Sequence, residues 1–206
     1  MNSVFQAYGI RVKYPERFRI YINQRQQFNN RNGMVKFDDT VGPQDGRISL
    51  TVSWEEAKEQ TEFGKQYLEH AEEHYSKKVK NRYRILDKEL LTKDGHEIAF
   101  LHTLLLSQTH IFKAIGKNIQ LEIMQTARYC DETNRIIIAT VMAERSYFKG
   151  HESGLKQMLL SVKCHADSGL NEPDETRGWD VMLKTGFNRS ICLTNPQMPC
   201  RGGPHP

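Results

Sequence analysis

The chain has 206 residues, 38% of them hydrophobic, and its 29 Lys+Arg against 25 Asp+Glu leave a formal net charge of +4. That length suits one domain with an appendage, and periodic apolar blocks of this density exclude a disordered polyelectrolyte. The longest apolar runs are strand-length, well short of the ~18–20 residues that span a membrane. The start Met1-Asn-Ser-Val-Phe also lacks the basic and apolar regions of a signal peptide, so neither membrane insertion nor export is expected.

Strand periodicity opens the chain. Ile10, Val12 and Tyr14 alternate with polar residues, and Phe18, Ile20 and Ile22 do so again beyond Pro15, which predicts two strands on either side of a proline-marked turn. Residues 24–32 are polar and read as a loop. A third short strand begins at Gly33 and is broken by Asp38-Asp39 and Gly42-Pro43, and Ile48, Leu50 and Val52 mark a fourth.

The period then changes. Phe63, Tyr67, Ala71, Tyr75 and Val79 fall four apart, predicting one long amphipathic helix over residues 55–80, with Ser53 and Glu56, or Thr61, available to cap its start. Gly64 weakens its first part. Residues 83–92 form a strand, Lys93-Asp94-Gly95-His96 carries hairpin-turn chemistry, and 97–108 is the richest apolar stretch. Both faces of that strand are apolar, which predicts a central position covered on both sides. Strands at 119–127 and 135–142 flank a Cys130-Asp-Glu-Thr-Asn turn, Leu155, Met158 and Leu159 mark a short helix, and a closing strand is expected around 161–165. Beyond Ala166 periodicity is lost, so the organisation expected is a globular domain, 1–166, and an irregular tail, 167–206. Within that tail, 178–184 has the makings of a short helix docked through Trp179.

The opening Gly9-Ile-Arg-Val-Lys-Tyr-Pro-Glu-Arg-Phe, the run Arg135-Ile-Ile-Ile-Ala-Thr-Val, and residues 155–162 after it, in this order of strands, long helix, strands and short helix, resemble the PsbP-like family of α/β/α sandwiches. That family includes a Ran-binding nuclear import factor and many small prokaryotic proteins. The resemblance covers residues 8–165. It implies an α+β sandwich with a twisted, mostly antiparallel sheet, and a domain that binds proteins or supports assembly and is not generally an enzyme.

Several groups carry chemistry of their own. His70-Ala-Glu-Glu-His74 is an H-x-x-E-H pattern whose histidines lie one helical turn apart and can share a zinc with Glu73 as base, but helices rich in Glu, His and Lys also produce it on a solvated flank. Cys164-His165 can complete a tetrahedral site with Cys192, Cys200 and His205 if the tail folds back, although no C-x-x-C pair is present. Cys130 and Cys164 lie in no nucleophile motif, and there is no G-x-S-x-G elbow or phosphate loop. His102 and His110 read as core histidines bonded to backbone or as solvent-facing ones. Without an export signal the four cysteines read as reduced thiols, and Asn188-Arg-Ser190 as an unused glycosylation acceptor.

Basic residues gather in two places: Arg11 to Lys36, where Glu16 is the only acid among the first charges, and Lys77, Lys78, Lys80, Arg82 and Arg84 after the long helix. The second set also complements the helix dipole. These readings lead to a cytoplasmic, non-enzymatic accessory domain that binds a protein partner. No catalytic, cofactor or metal set is assigned, and Lys77, Lys78, Lys80, Arg82 and Arg84 are the residues assigned to an anionic partner. The alternatives are nucleic-acid or anionic-ligand binding through that basic set, and a zinc protein or metallohydrolase built on His70, Glu73 and His74.

Overall fold

The computed structural model describes residues 2–23, 25–39, 48–58, 60–78, 83–107 and 119–165. In chain order its elements are β1 (Asn2–Ala7), β2 (Ile10–Pro15), β3 (Phe18–Ile22), β4 (Gly33–Asp39), β5 (Ser49–Glu56), α1 (Phe63–Lys78), β6 (Tyr83–Lys93), β7 (His96–Ser107), β8 (Ile119–Cys130), β9 (Arg135–Glu144), α2 (Arg145–Phe148) and α3 (Glu152–Leu160). The expected α+β class and antiparallel sheet are present. Seven strands pair in the order β3-β4-β5-β9-β8-β7-β6, and β1-β2 form a separate two-stranded ribbon. Two meanders, β3-β4-β5 and β6-β7-β8-β9, are therefore joined by one long-range antiparallel pairing in which Val52 meets Ala139.

Register assigns each side chain to a face. Leu101 pairs with Gln125 and Gln125 with Thr140, and this face receives α1, where the Tyr67 hydroxyl donates to Gln125 Oε1 at 2.5 Å. The alternate residues face the other way. There His102 stacks on Phe148 of α2, and Lys156 of α3 lies 4.3 Å above the Phe100 ring. The β1-β2 ribbon covers the rest of this second face, with Phe5 and Tyr14 both against Phe37 at ring separations of 5.6 and 4.7 Å. Most of the core lies here: Ile10, Val12, Val35, Leu50, Val52, Ile98, Ile137, Val141 and Leu159 are fully buried. Each such side chain contributes roughly 1.5–3 kcal/mol of transfer free energy.

Several expectations change. The first strand, β1, has no counterpart in the sequence reading; it is formed by a two-residue turn at Tyr8-Gly9, both with positive φ, that pairs Ala7 with Ile10. Pro15 marks a crossing from the ribbon into the large sheet, because β2 pairs with β1 and β3 with β4. The long helix begins at Phe63 and not at residue 55, since Glu55 and Glu56 still pair with Ile136 and Arg135 in the sheet. No Ser53–Glu56 cap forms; the Gly64 N–H donates to Glu97 Oε1 at 2.9 Å instead. A Cβ at Gly64 would come within 2.6 Å of both Glu97 Oε1 and Leu90 Cδ1, so glycine lets the helix start approach the sheet.

The Asp94-Gly95 turn forms as expected, with φ of 50° and 79°, which suits an Asp-Gly hairpin. β7 is buried on both faces from Ile98 to Leu101, but it lies next to the edge strand β6 and not at the centre. The closing strand is reduced to a single antiparallel bridge between Lys163 and Arg11. Residues 167–206, His110, Cys192, Cys200 and His205, and the expected helix at 178–184, lie outside the described residues. Among the described residues no helix is long and apolar enough to cross a membrane.

Candidate functional site

Four ligand-bearing side chains converge at one end of the sheet. Ile98 pairs with Arg128, and continuing that register by two residues brings His96, the first residue of β7, beside Cys130, the last of β8. The chain leaving α3 runs back across this end through the Lys163–Arg11 bridge, which delivers Cys164 and His165 to the same spot. One ligand atom from each of His96, Cys130, Cys164 and His165 lies within 4.8 Å of all the others. Cys130 Sγ is 3.9 Å from His96 Nε2 and 3.4 Å from His165 Nδ1, and Cys164 Sγ is also 3.4 Å from His165 Nδ1.

The far nitrogen of each imidazole meets a carboxylate from the β8-β9 turn. His96 Nδ1 is 3.5 Å from Asp131 and His165 Nε2 is 3.3 Å from Glu132. Both cysteines are free thiols, and His96, Cys130 and Cys164 are only 6%, 0% and 2% exposed.

Two arginines frame the cluster from beneath. Arg135, opposite Cys130 in the ladder, donates to the carbonyls of Tyr8, Asn30 and Cys164 at 2.8, 2.9 and 3.0 Å and so fixes the backbone that carries the second cysteine. Arg128 is 1% exposed, and its two terminal nitrogens have no oxygen acceptor among the described residues. Burial lowers its pKa, while the neighbouring Cys164, Asp94 and Cys130 favour its charged form. The thiols respond in opposite directions. Cys130 is held well below the ordinary thiol value, chiefly by a hydrogen bond from Cys164, and Cys164 is pushed up by that same shared proton and by burial.

A second polar group lies on the same face farther along the sheet. His102 Nε2 is 3.0 Å from Glu122 Oε2, and Arg145 Nε is 3.2 Å from the other carboxylate oxygen. His102 is thus a buried histidine, but its partner is a carboxylate and not the backbone. Glu122, Gln120, Arg145, Ser146, Lys149 and Glu152 border an open groove of about 570 Å³.

The sequence-predicted sites fare differently. His70, Glu73 and His74 are exposed on α1, with the imidazole rings 6.3 Å apart, and they belong to no group of three or more convergent ligands among the described residues. Lys77 and Lys78 end α1, Lys80 and Arg82 lie outside the described residues, and Arg84 is exposed on β6. Cys164 and His165 stand in a cluster of ligand-bearing side chains, but its other described members are His96 and Cys130 and not the tail residues. Those two were missed because His96 lies 34 residues before Cys130 and Cys130 another 34 before Cys164. Arg128, a charge at a core-facing position of β8, was the signal in the sequence that this end of the sheet is not ordinary core.

No family model matches the chain, and no curated protein matches it in sequence. Solved structures match it in fold. PsbP of the cyanobacterium Synechocystis (CyanoP) is 11% identical with a TM-score of 0.55, covering 79% of this chain and 90% of its own. The Ran-binding protein Mog1p of Saccharomyces cerevisiae is 9% identical with a TM-score of 0.51, covering 78% and 91%. A mutant of Mog1 is 9% identical with a TM-score of 0.52, covering 82% and 98%. The resemblance to PsbP-like proteins therefore holds for the fold.

Proposed function

We propose that this chain is a non-enzymatic accessory domain that binds a protein partner. The observation that carries this reading is the closure of the one cluster of thiols and imidazoles found among the described residues. With His96, Cys130 and Cys164 almost wholly buried and His165 only partly exposed, a substrate has little approach to the sulfur and nitrogen atoms, whereas catalytic centres keep an open position. The fold adds support, since one of the solved structures that share it carries the description Ran-binding protein. The compartment that suits reduced thiols is the cytoplasm.

The surface we assign to the partner is the outer margin of β6, the edge strand of the large sheet. Leu86 and Leu90 are 37% and 48% exposed there and give this edge two apolar points of contact. The bulge between Ile85 and Asp87 and the charges of this strand protect the edge from indiscriminate pairing. The segment entering it carries Lys77, Lys78, Lys80 and Arg82, with Arg84 on the strand itself, so the partner we infer presents an acidic segment beside an apolar one.

A photo-crosslinking residue in place of Leu90 tests the assignment in cells. The expected result is one protein adduct of discrete mass that is lost when Lys80 and Arg84 are changed to glutamate. An adduct removed by nuclease would replace the protein reading with a nucleic-acid one, and absence of any adduct would end both.

A further inference from the structure

We propose that His96, Cys130, Cys164 and His165 form a structural zinc site that fastens the end of the domain to its sheet. The donor set is the one zinc prefers in closed sites: two thiolates and two imidazoles, tetrahedral, with Zn–S of about 2.3 Å and Zn–N of about 2.0–2.1 Å. Those bond lengths place ligand atoms about 3.3–3.8 Å from one another on a tetrahedron. Three of the six separations are 3.4, 3.4 and 3.9 Å and all lie within 4.8 Å, so closing the four atoms onto one ion takes shifts of up to about 1 Å.

Three independent features separate this cluster from a chance meeting of buried thiols. The first is the carboxylate behind each imidazole, Asp131 for His96 and Glu132 for His165. This is the arrangement that orients a metal-bound histidine, fixes its tautomer and raises its basicity. The second is Arg128. A fully buried guanidinium whose two terminal nitrogens meet no oxygen acceptor among the described residues is costly unless anionic acceptors are close by, and two metal-bound thiolates supply them. The third is Arg135, whose hydrogen bond to the Cys164 carbonyl holds the ligand-bearing backbone against the sheet.

Proton and charge accounting is closed. As the two Zn–S bonds form, the S–H bond whose proton Cys164 shares with Cys130 breaks and that proton leaves to solvent, and the two resulting thiolates neutralise the divalent ion. The soft sulfur donors select against magnesium and calcium. Two thiolates and two imidazoles also hold a Rieske 2Fe–2S centre, but there they sit on different irons, whereas both sulfurs here are 3.4 Å from His165 Nδ1, a spacing that suits donors on a single ion. All four ligands come from the protein, and at least three are buried, so no coordination position is left for substrate. The role is mechanical: the ion ties the start of β7, the end of β8 and the chain leaving α3 into one knot. This proposal stands whether or not the partner-binding reading does.

The test uses the full chain, produced without a polyhistidine tag and kept reduced. Elemental analysis is expected to give one zinc per chain. Cobalt(II) added to the chelator-stripped protein is expected to give thiolate-to-cobalt charge transfer in the near ultraviolet and the strong visible bands of four-coordinate cobalt. Cys130→Ser should weaken cobalt binding by more than about 100-fold, and Asp131→Asn or Glu132→Gln by about 10-fold each, the effect of removing an outer-sphere partner. His70→Ala with His74→Ala, and Cys192→Ser with Cys200→Ser, should leave the spectrum unchanged. Absence of the cobalt bands from the unsubstituted chain would overturn the proposal, and this arm does not depend on any variant folding. So would bands that persist in Cys130→Ser with Cys164→Ser, or that disappear with either of the two control pairs.

Discussion

The flank of α1 and the β7-β8 end of the sheet both place two histidines near each other, and they differ in everything else that matters to a ligand. On α1, His70 and His74 are one turn apart in sequence and stand in solvent. At the sheet end, His96 and His165 come from distant parts of the chain, have ring centroids 5.3 Å apart, and face two sulfur atoms with a carboxylate behind each ring. Sequence proximity produces the first pair at no structural cost. The second requires hairpin register, a strand bridge and two buried arginines to agree. Convergence of donors with support behind them is the better mark of a ligand site than their spacing along the chain.

The largest expected effect sharpens this contrast. Cys164→Ser should lower the unfolding free energy of metal-loaded protein by more than about 3 kcal/mol, read from urea or thermal unfolding in chelator-free buffer, because the ion's binding energy goes with it. Chelator should reduce the unsubstituted protein toward the same value and leave the variant almost unaffected. Next comes Arg135→Met, which strips three carbonyls of their donor and should cost about 3 kcal/mol; a variant as stable as the parent would show that these hydrogen bonds do not support the site.

On the α1 side the effects are smaller. Gly64→Ala puts a Cβ against the ends of the Leu90 and Glu97 side chains, both exposed and able to move, so with alanine's higher helix propensity set against it the net loss should be about 1 kcal/mol or less. A gain in stability would mean that the helix start is not docked there. Smallest of all, His70→Ala with His74→Ala should change stability by less than about 0.5 kcal/mol and leave the metal content as it was. A large loss from that pair would erase the distinction between the two regions.

What the sequence disclosed follows the same physical division. Alternation along Ile10–Pro15, the apolar run over 135–142, the Asp94-Gly95 turn and the four-residue spacing of Phe63, Tyr67 and Ala71 are local signals, and each gave its element. Glu55 and Glu56 look like helix-forming residues, yet sheet pairing with β9 holds them extended, so tertiary contact overrode propensity at that boundary. β1 was missed because its turn, Tyr8-Gly9, has positive φ at both positions but a tyrosine where such turns usually carry Asn, Asp or Gly. At the candidate site, the Cys164-His165 pair was visible and its companions were not. Nothing local in His96 or Cys130 says that β7 and β8 will end level with each other, or that Lys163 will bridge to Arg11.

The single pairing of β5 with β9 also has a kinetic consequence. Each meander can form from neighbours in sequence, but the sheet becomes one body only when 49–56 meets 135–144. Closing that seam fixes a long loop before its contacts return any energy, so it is the step expected to limit the rate, and refolding should fall in the slow range of non-local β topologies, milliseconds to seconds. Conservative truncations at Val52 or Ala139 should then slow folding, whereas changes at the Asp94-Gly95 turn should act mainly on a hairpin that has its register before the two halves meet.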